Sequence, residues 1–349
     1  MATAASPITL MVVVDRSGSV HRSGSAAAIQ QALQNFVDAQ SNGQRMFEEE
    51  RDFIGMGSFA NSWKLDFSPA AIFRSPIAEA IRTIPFARSG STNTAEALYQ
   101  AYEQLRILNE TRSLNAILLL TDGRPSAFTA KFDLPSACEL AAPKTGVIAA
   151  TVAATWPPLP PSNSGDDGIY TIGLFQSKWT SYDPTFVDGT DCHFSTDSGQ
   201  PVPGASFSKD FSILPKTDAY GNSLFGPVYQ LEDRSTANPR SVRFAAFNAA
   251  DNMATKIRKD PVLRPVLFVV GLKQDPRGGE QLDSAWLARV ANDPSYRNST
   301  GKFIMQTDQL PGVYREGNIG SLSSVLQQIA SDIALIADVR SKSLTLKNK

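Results

Sequence analysis

The sequence predicts an α/β fold: a doubly wound, mostly parallel central sheet flanked by helices, carrying a large irregular and β-rich insertion. Three observations predict it. Continuous apolar runs over 8–14, 115–120 and 265–272 are too uniform for a strand with one wet face, so they read as strands buried on both faces. Segments with helical spacing of apolar residues alternate with those runs. The first two runs each end abruptly in a carboxylate, Asp15 and Asp122. Open parallel sheets bind ligands beyond the carboxyl ends of their strands, and a doubly wound order can make two such ends neighbours.

The elements follow in order. After the strand at 8–14, Ser25 is placed to cap a helix over about 26–40, with Ile29, Leu33, Phe36 and Val37 on one face. Residues 51–59 form a second strand, and the alternating stretch 63–67 pairs with it antiparallel at the sheet edge. A short helix is expected near 76–83 and a strong one over 94–108, followed by the strand ending at Asp122. From 124 to 240 the texture changes to Pro, Gly, Ser and Asp with short apolar pieces at 146–153, 169–175 and 211–215. A structureless loop of that length is improbable in a compact domain, so the insertion should carry some core of its own. The α/β pattern then resumes. A helix runs from Ser241 to about Arg258, a strand over 265–272, and a helix carries Leu282, Trp286, Leu287 and Val290. A short final strand is expected at 302–306 and a last helix over about 320–339. The whole reads as one domain over 6–340, interrupted by 124–240, with a loose polar tail at 341–349.

The polar tip Asp15-Arg16-Ser17-Gly18-Ser19 places a carboxylate and two hydroxyls at i, i+2 and i+4. Taken alone it could be a strand-to-helix loop whose Asp or Ser only caps a helix. Thr92, in the loop before the helix at 94–108, and Asp122 add a hydroxyl and a second carboxylate from other loops. Asp15, Ser17, Ser19, Thr92 and Asp122 all offer oxygen and none offers sulfur or imidazole, so the set suits a hard divalent cation: Mg²⁺ first, with Ca²⁺ or Mn²⁺ as alternatives. Mg²⁺ wants six ligands, which leaves room for water or an incoming group, and an external carboxylate would bring both a ligand and a charge.

Composition narrows the function. The chain of 349 residues has 42% hydrophobic and 19% charged residues, which are globular values. A net charge of −1 argues against a broad nucleic-acid or anionic-membrane surface. No uninterrupted apolar run reaches membrane-spanning length, and the first residues lack the pattern of a signal peptide; an export signal or anchor would be absent, removed, or outside this sequence. Cys138 and Cys192 could staple the insertion in an exported protein. With only His21 and His193, no GxSxG elbow and no GxxxxGK[ST] loop, an enzyme is not expected.

Asp15-Arg16-Ser17-Gly18-Ser19, with Gly90-Ser91-Thr92 and Thr121-Asp122-Gly123, resembles the metal-ion-dependent adhesion site of von Willebrand factor type A domains, in order and in spacing. The resemblance covers 8–123 and returns over 241–339. It implies the Rossmann-like type A fold, Ser17 and Ser19 as direct ligands, Thr92 as a state-dependent ligand, and Asp15 and Asp122 acting largely through water. The insertion and its Asp218-Ala219-Tyr220-Gly221-Asn222 stretch are similar to TadG-like proteins of Tad (Flp) pilus assembly, which usually carry an N-terminal membrane anchor. These resemblances imply a non-enzymatic, metal-dependent protein-binding or adhesion module at a bacterial cell surface, periplasm or pilus. Its partner would offer an acidic side chain, with pilus or cell-envelope components as candidates. The alternative is a cytoplasmic type A domain that serves as an assembly or chaperone subunit beside an ATPase.

Overall fold

The computed structural model describes residues 6–41, 43–86, 90–133, 145–152, 170–176, 193–194, 214–226, 228–231, 239–273, 282–297 and 305–347. The chain opens with β1 (Ile8–Asp15), the short helix α1 (Gly18–Arg22) and α2 (Ala26–Val37). A two-stranded ribbon, β2 (Gln40–Ser41) and β3 (Gln44–Arg45), leads to β4 (Phe53–Phe59), β5 (Trp63–Ala70), α3 (Arg74–Arg82), α4 (Thr94–Leu108) and β6 (Leu114–Thr121). Within 124–240 lie β7 (Ala127–Asp133), β8 (Thr145–Val152), β9 (Tyr170–Gln176) and β10 (His193–Phe194). The chain then runs through α5 (Pro239–Arg258), β11 (Val266–Lys273), α6 (Ser284–Ala291), β12 (Val313–Asn318) and α7 (Leu322–Lys347).

The six-stranded sheet has the order β12-β11-β6-β1-β4-β5. Every neighbouring pair is parallel except β4 with the edge strand β5. β1 is central, with Val13 opposite Leu119 of β6 on one side and Gly57 of β4 on the other. All of its residues are buried, as its uniform apolar run requires. Ile8, Leu10, Val12 and Val14 point into a core built with α2, α3 and α7. Met11 and Val13 point into the opposite core, built with α4, α5 and α6. The doubly wound α/β expectation therefore holds.

In the insertion, β7, β8 and β9 form an antiparallel sheet with β10 beyond β7. Ala127, Val147 and Ala149 make a small cluster of their own, while Phe128, Ala130 and Ile148 join the core of α4 and α5. The strands expected at 146–153 and 169–175 thus correspond to β8 and β9. Leu214 and Pro215 are irregular, and 211–213 lie outside the described residues, as do Cys138 and Cys192 with their expected bridge.

Three expectations need correcting. The last strand is β12 at 313–318, not 302–306; Met305 and Gln306 are irregular, and 302–304 lie outside the described residues. The expected tail at 341–349 is helical as far as Lys347, where α7 ends. Ser25 precedes α2 but does not cap it: its hydroxyl lies 2.6 Å from that of Ser23. α7 also holds the single stretch among the described residues with the length and mean hydropathy for a membrane crossing, Leu322–Lys342 at 1.2. No continuous apolar run is needed for that, and Leu322, Leu326, Ile329, Ala330 and Ile333 of this helix are fully buried in the core.

Candidate functional site

Parallel pairing of β1 with β6 sets Asp15 and Thr121 side by side at the carboxyl end of the sheet. The Thr121 hydroxyl donates to Asp15 Oδ2 at 2.6 Å. Asp15 Oδ1 accepts from the Ser17 N–H at 2.8 Å, which bends the chain so that both serine hydroxyls face the same side as the carboxylate. Ser17 Oγ and Ser19 Oγ are 3.0 Å apart, and the Ser19 hydroxyl donates to Asp122 Oδ1 at 2.9 Å. Residues 15, 17, 19 and 122 therefore form one continuous polar cluster across two loops.

Thr92 enters from the loop before α4. Its N–H donates to Ser126 Oγ at 3.0 Å, and its carbonyl accepts from the Ser126 N–H, also at 3.0 Å. This two-bond clamp pins the Thr92 loop to the chain leaving β6. A Cβ at Gly123 would lie 3.3 Å from Thr92 Oγ1 and 3.6 Å from Ser19 Oγ, so both hydroxyls converge on the space a side chain there would fill. Gly90 has φ +138°, a conformation few L-residues adopt, and its carbonyl accepts from the Gly18 N–H at 3.0 Å. That contact ties the Thr92 loop to the serine loop. The structure thus brings together all five sequence-predicted residues, Asp15, Ser17, Ser19, Thr92 and Asp122.

The cluster is nearly dry. Asp15, Ser17 and Asp122 are each 1% exposed, Thr92 4% and Ser19 9%. Burial pushes the Asp15 carboxyl above its ordinary value, opposed by the bonds from Ser17 and Thr121 and, least, by the Arg16 charge. The Arg16 side chain donates to the Ser62 carbonyl at 3.4 Å. Two buried carboxylates and three hydroxyls make a set of hard oxygen donors that fits a divalent cation. Among the described residues no cluster of three or more His, Cys, Asp or Glu offers a competing metal site.

Sequence reasoning missed the supporting shell. Thr121 and Ser126 orient Asp15 and Thr92. Asn61 accepts the Ser91 N–H at 2.6 Å, and Asn93 caps α4 by accepting the Glu96 N–H. The Thr-Asp-Gly tripeptide carried a signal for Thr121. Nothing local marked Asn61 or Ser126, because their partners lie 30 and 34 residues away.

The model of the von Willebrand factor type A domain family matches residues 9–176, a range that contains every loop of this site. The mixed, mostly parallel sheet flanked by helices is the type A fold. No curated protein matches the sequence. Among solved structures it is similar to the von Willebrand factor domain of the type V pili tip protein Mfa5 from Porphyromonas gingivalis, at 12% identity over 95% of this chain and 96% of that one, with a TM-score of 0.46. It is also similar to the PilB minor pilin from Streptococcus sanguinis (14% identity, 98% of this chain and 63% of that one, TM-score 0.46). A third is the pilus adhesin SpaC from Lactobacillus rhamnosus GG in an open conformation (16% identity, 94% and 30%, TM-score 0.48).

Proposed function

We propose that this type A domain is a non-enzymatic, divalent-cation-dependent protein-binding module, with Mg²⁺ as the favoured ion and Ca²⁺ or Mn²⁺ as alternatives. Asp15, Ser17, Ser19, Thr92 and Asp122 would hold the ion. The observation that carries the reading is the convergence of two buried carboxylates and three hydroxyls from three loops on one space at the carboxyl end of the sheet. When bound, the cation supplies an open coordination position and positive charge for an acidic side chain of a protein partner. The chain's own residues do the rest. Thr121 and the Ser17 N–H keep the Asp15 carboxylate aimed, Ser126 fixes Thr92, and Gly123 leaves the space open. The resemblance to TadG-like proteins supports a bacterial cell surface, periplasm or pilus as the place of action, with pilus or envelope components as partners.

The test is Mg²⁺ and Mn²⁺ affinity by titration calorimetry for wild type and Asp15→Ala. We expect at least a 100-fold loss, since removing a metal-site carboxylate exceeds the roughly 10–100-fold cost of losing a supporting group. Equal affinity in the two proteins would sink the assignment of the site.

A further inference from the structure

The five-residue stretch Asp218-Ala219-Tyr220-Gly221-Asn222 belongs to the insertion, and the proposed metal site makes no direct use of it. It is nonetheless built with care. The Asp218 carboxylate accepts from the Tyr220 N–H at 2.9 Å, and from the backbone N–H and side-chain amide of Asn222, each at 2.8 Å. The turn closes on itself and projects Tyr220 onto α4 as a preformed finger. The Ala219 N–H donates to the Thr129 carbonyl of β7 at 2.8 Å, and Lys256 of α5 donates to the Tyr220 carbonyl at 3.2 Å. The Tyr220 ring stacks on Tyr99 of α4, with centroids 4.2 Å apart and planes inclined by 20°.

The finger ends in a buried polar knot. The Tyr220 hydroxyl faces Glu96, Thr129 and Gln100. Glu96 Oε2 accepts from the Thr129 hydroxyl at 3.0 Å and from the Asn93 side-chain amide at 2.9 Å. Asn93 holds the site loop from the other side: its amide donates to the Asn61 carbonyl at 3.0 Å, and its N–H to the Ala60 carbonyl at 2.9 Å. Its immediate neighbour is Thr92. A simple helix cap would need only the bond from the Glu96 N–H to Asn93. Here one carboxylate ties β7 to the loop before α4, with Tyr220 of the insertion beside it, and burial pushes it up to about 7. Such a knot moves as a unit, because losing one member leaves the others desolvated and unpaired.

We propose that Tyr220 is a positioning residue: its hydroxyl, acting through Glu96 and Asn93, fixes the loop that presents Thr92, so the segment 214–226 sets how tightly the metal site holds its cation. The proposal rests on the metal-binding reading above, and its experiment separates the two. Tyr220→Phe keeps the ring on Tyr99 and removes only the hydroxyl; Thr129→Val removes the next link and serves as a second probe. Two readouts are taken on the full chain: amide hydrogen exchange over 90–97 without metal, and Mg²⁺ affinity by calorimetry, with circular dichroism confirming the fold. We expect faster exchange at Thr92 and Asn93 and a Mg²⁺ affinity lowered about tenfold in both variants, the range found when groups supporting a metal ligand are removed. Exchange unchanged from wild type in Tyr220→Phe overturns the proposal, as does faster exchange with Mg²⁺ affinity within twofold. Faster exchange in a protein whose wild type binds no Mg²⁺ or Mn²⁺ overturns the metal reading and with it the control of affinity, while showing that Tyr220 orders the loop.

Discussion

Gly123 makes a sharp test at the scale of single residues. Its missing side chain leaves a space bordered by Thr92 Oγ1 and Ser19 Oγ, at 3.3 and 3.6 Å from where a Cβ would sit. Gly123→Ala puts a methyl group among the hydroxyls that would face a cation. The shift demanded of the neighbours is a few tenths of an ångström, so stability should change by no more than about 1 kcal/mol. Metal affinity should fall about tenfold or more, because the ligand geometry is what the methyl disturbs. Calorimetry with Mg²⁺ beside a thermal melt separates the two, and unchanged affinity would contradict Thr92 and Ser19 as ligands. The five proposed ligands were legible because each lies in a short polar run directly after a strand or directly before a helix. Thr121, Ser126 and Asn61 were much harder to see. Each acts on a residue far away in sequence, and only the pairing of β1 with β6 and the docking of the Thr92 loop bring the partners together.

Among the elements, α4 carries a titration. Burial raises the Glu96 carboxyl from 4.5 to about 7, opposed by bonds from Thr129, the Trp63 N–H and Tyr220. Burial likewise raises Asp218 to about 6, opposed by Asn222, the Tyr220 N–H and the Lys256 charge. Between the unfolded value and the folded one, the native protein keeps a proton that the unfolded chain has released. Stability from Glu96 is therefore full below about pH 4.5 and declines as pH rises to about 7. The ceiling for one such group is on the order of 3 kcal/mol. Metal-free protein should accordingly melt at higher temperature at pH 5.5 than at pH 8, and Glu96→Gln should flatten that slope. A variant with the wild-type slope would show that Glu96 is not the group responsible. The same scale shows where sequence reading fails. β12, with the sequence Val-Tyr-Arg-Glu-Gly-Asn, has one buried side chain, Tyr314, and is an edge strand defined by its register against β11. Its polar composition hides it, whereas the apolar 303–305 attracted the assignment. α7 outran its expected end because no Gly or Pro follows Ile336 to stop it. Lys342 pairs with Asp338 at i, i+4, and Arg340 donates to the Arg264 carbonyl, which holds the extra turns in place.

For the whole molecule, the decisive feature is that β1 is shared by both cores. Its odd and even residues anchor opposite layers, and its last residue is Asp15. The binary pattern of the sequence contained this arrangement, because strands buried on both faces leave little freedom beyond strand order. It did not contain the seating of the insertion, whose Phe128, Ala130 and Ile148 merge with the core of α4 and α5 instead of forming a separate body. A ligand held at the end of β1 by loops from β1, β6 and α4 therefore binds only when the central sheet and both layers are in place. Binding that is confined to the native state raises stability by mass action, by about 2.7 kcal/mol at a ligand concentration 100 times the dissociation constant. Saturating Mg²⁺ should raise the melting temperature by a few degrees, since about 1 kcal/mol shifts a large domain by roughly 2–4 °C. Excess EDTA should reverse the rise, and Asp15→Ala should show none. A rise that persists in Asp15→Ala would place the stabilising ion somewhere other than the end of β1.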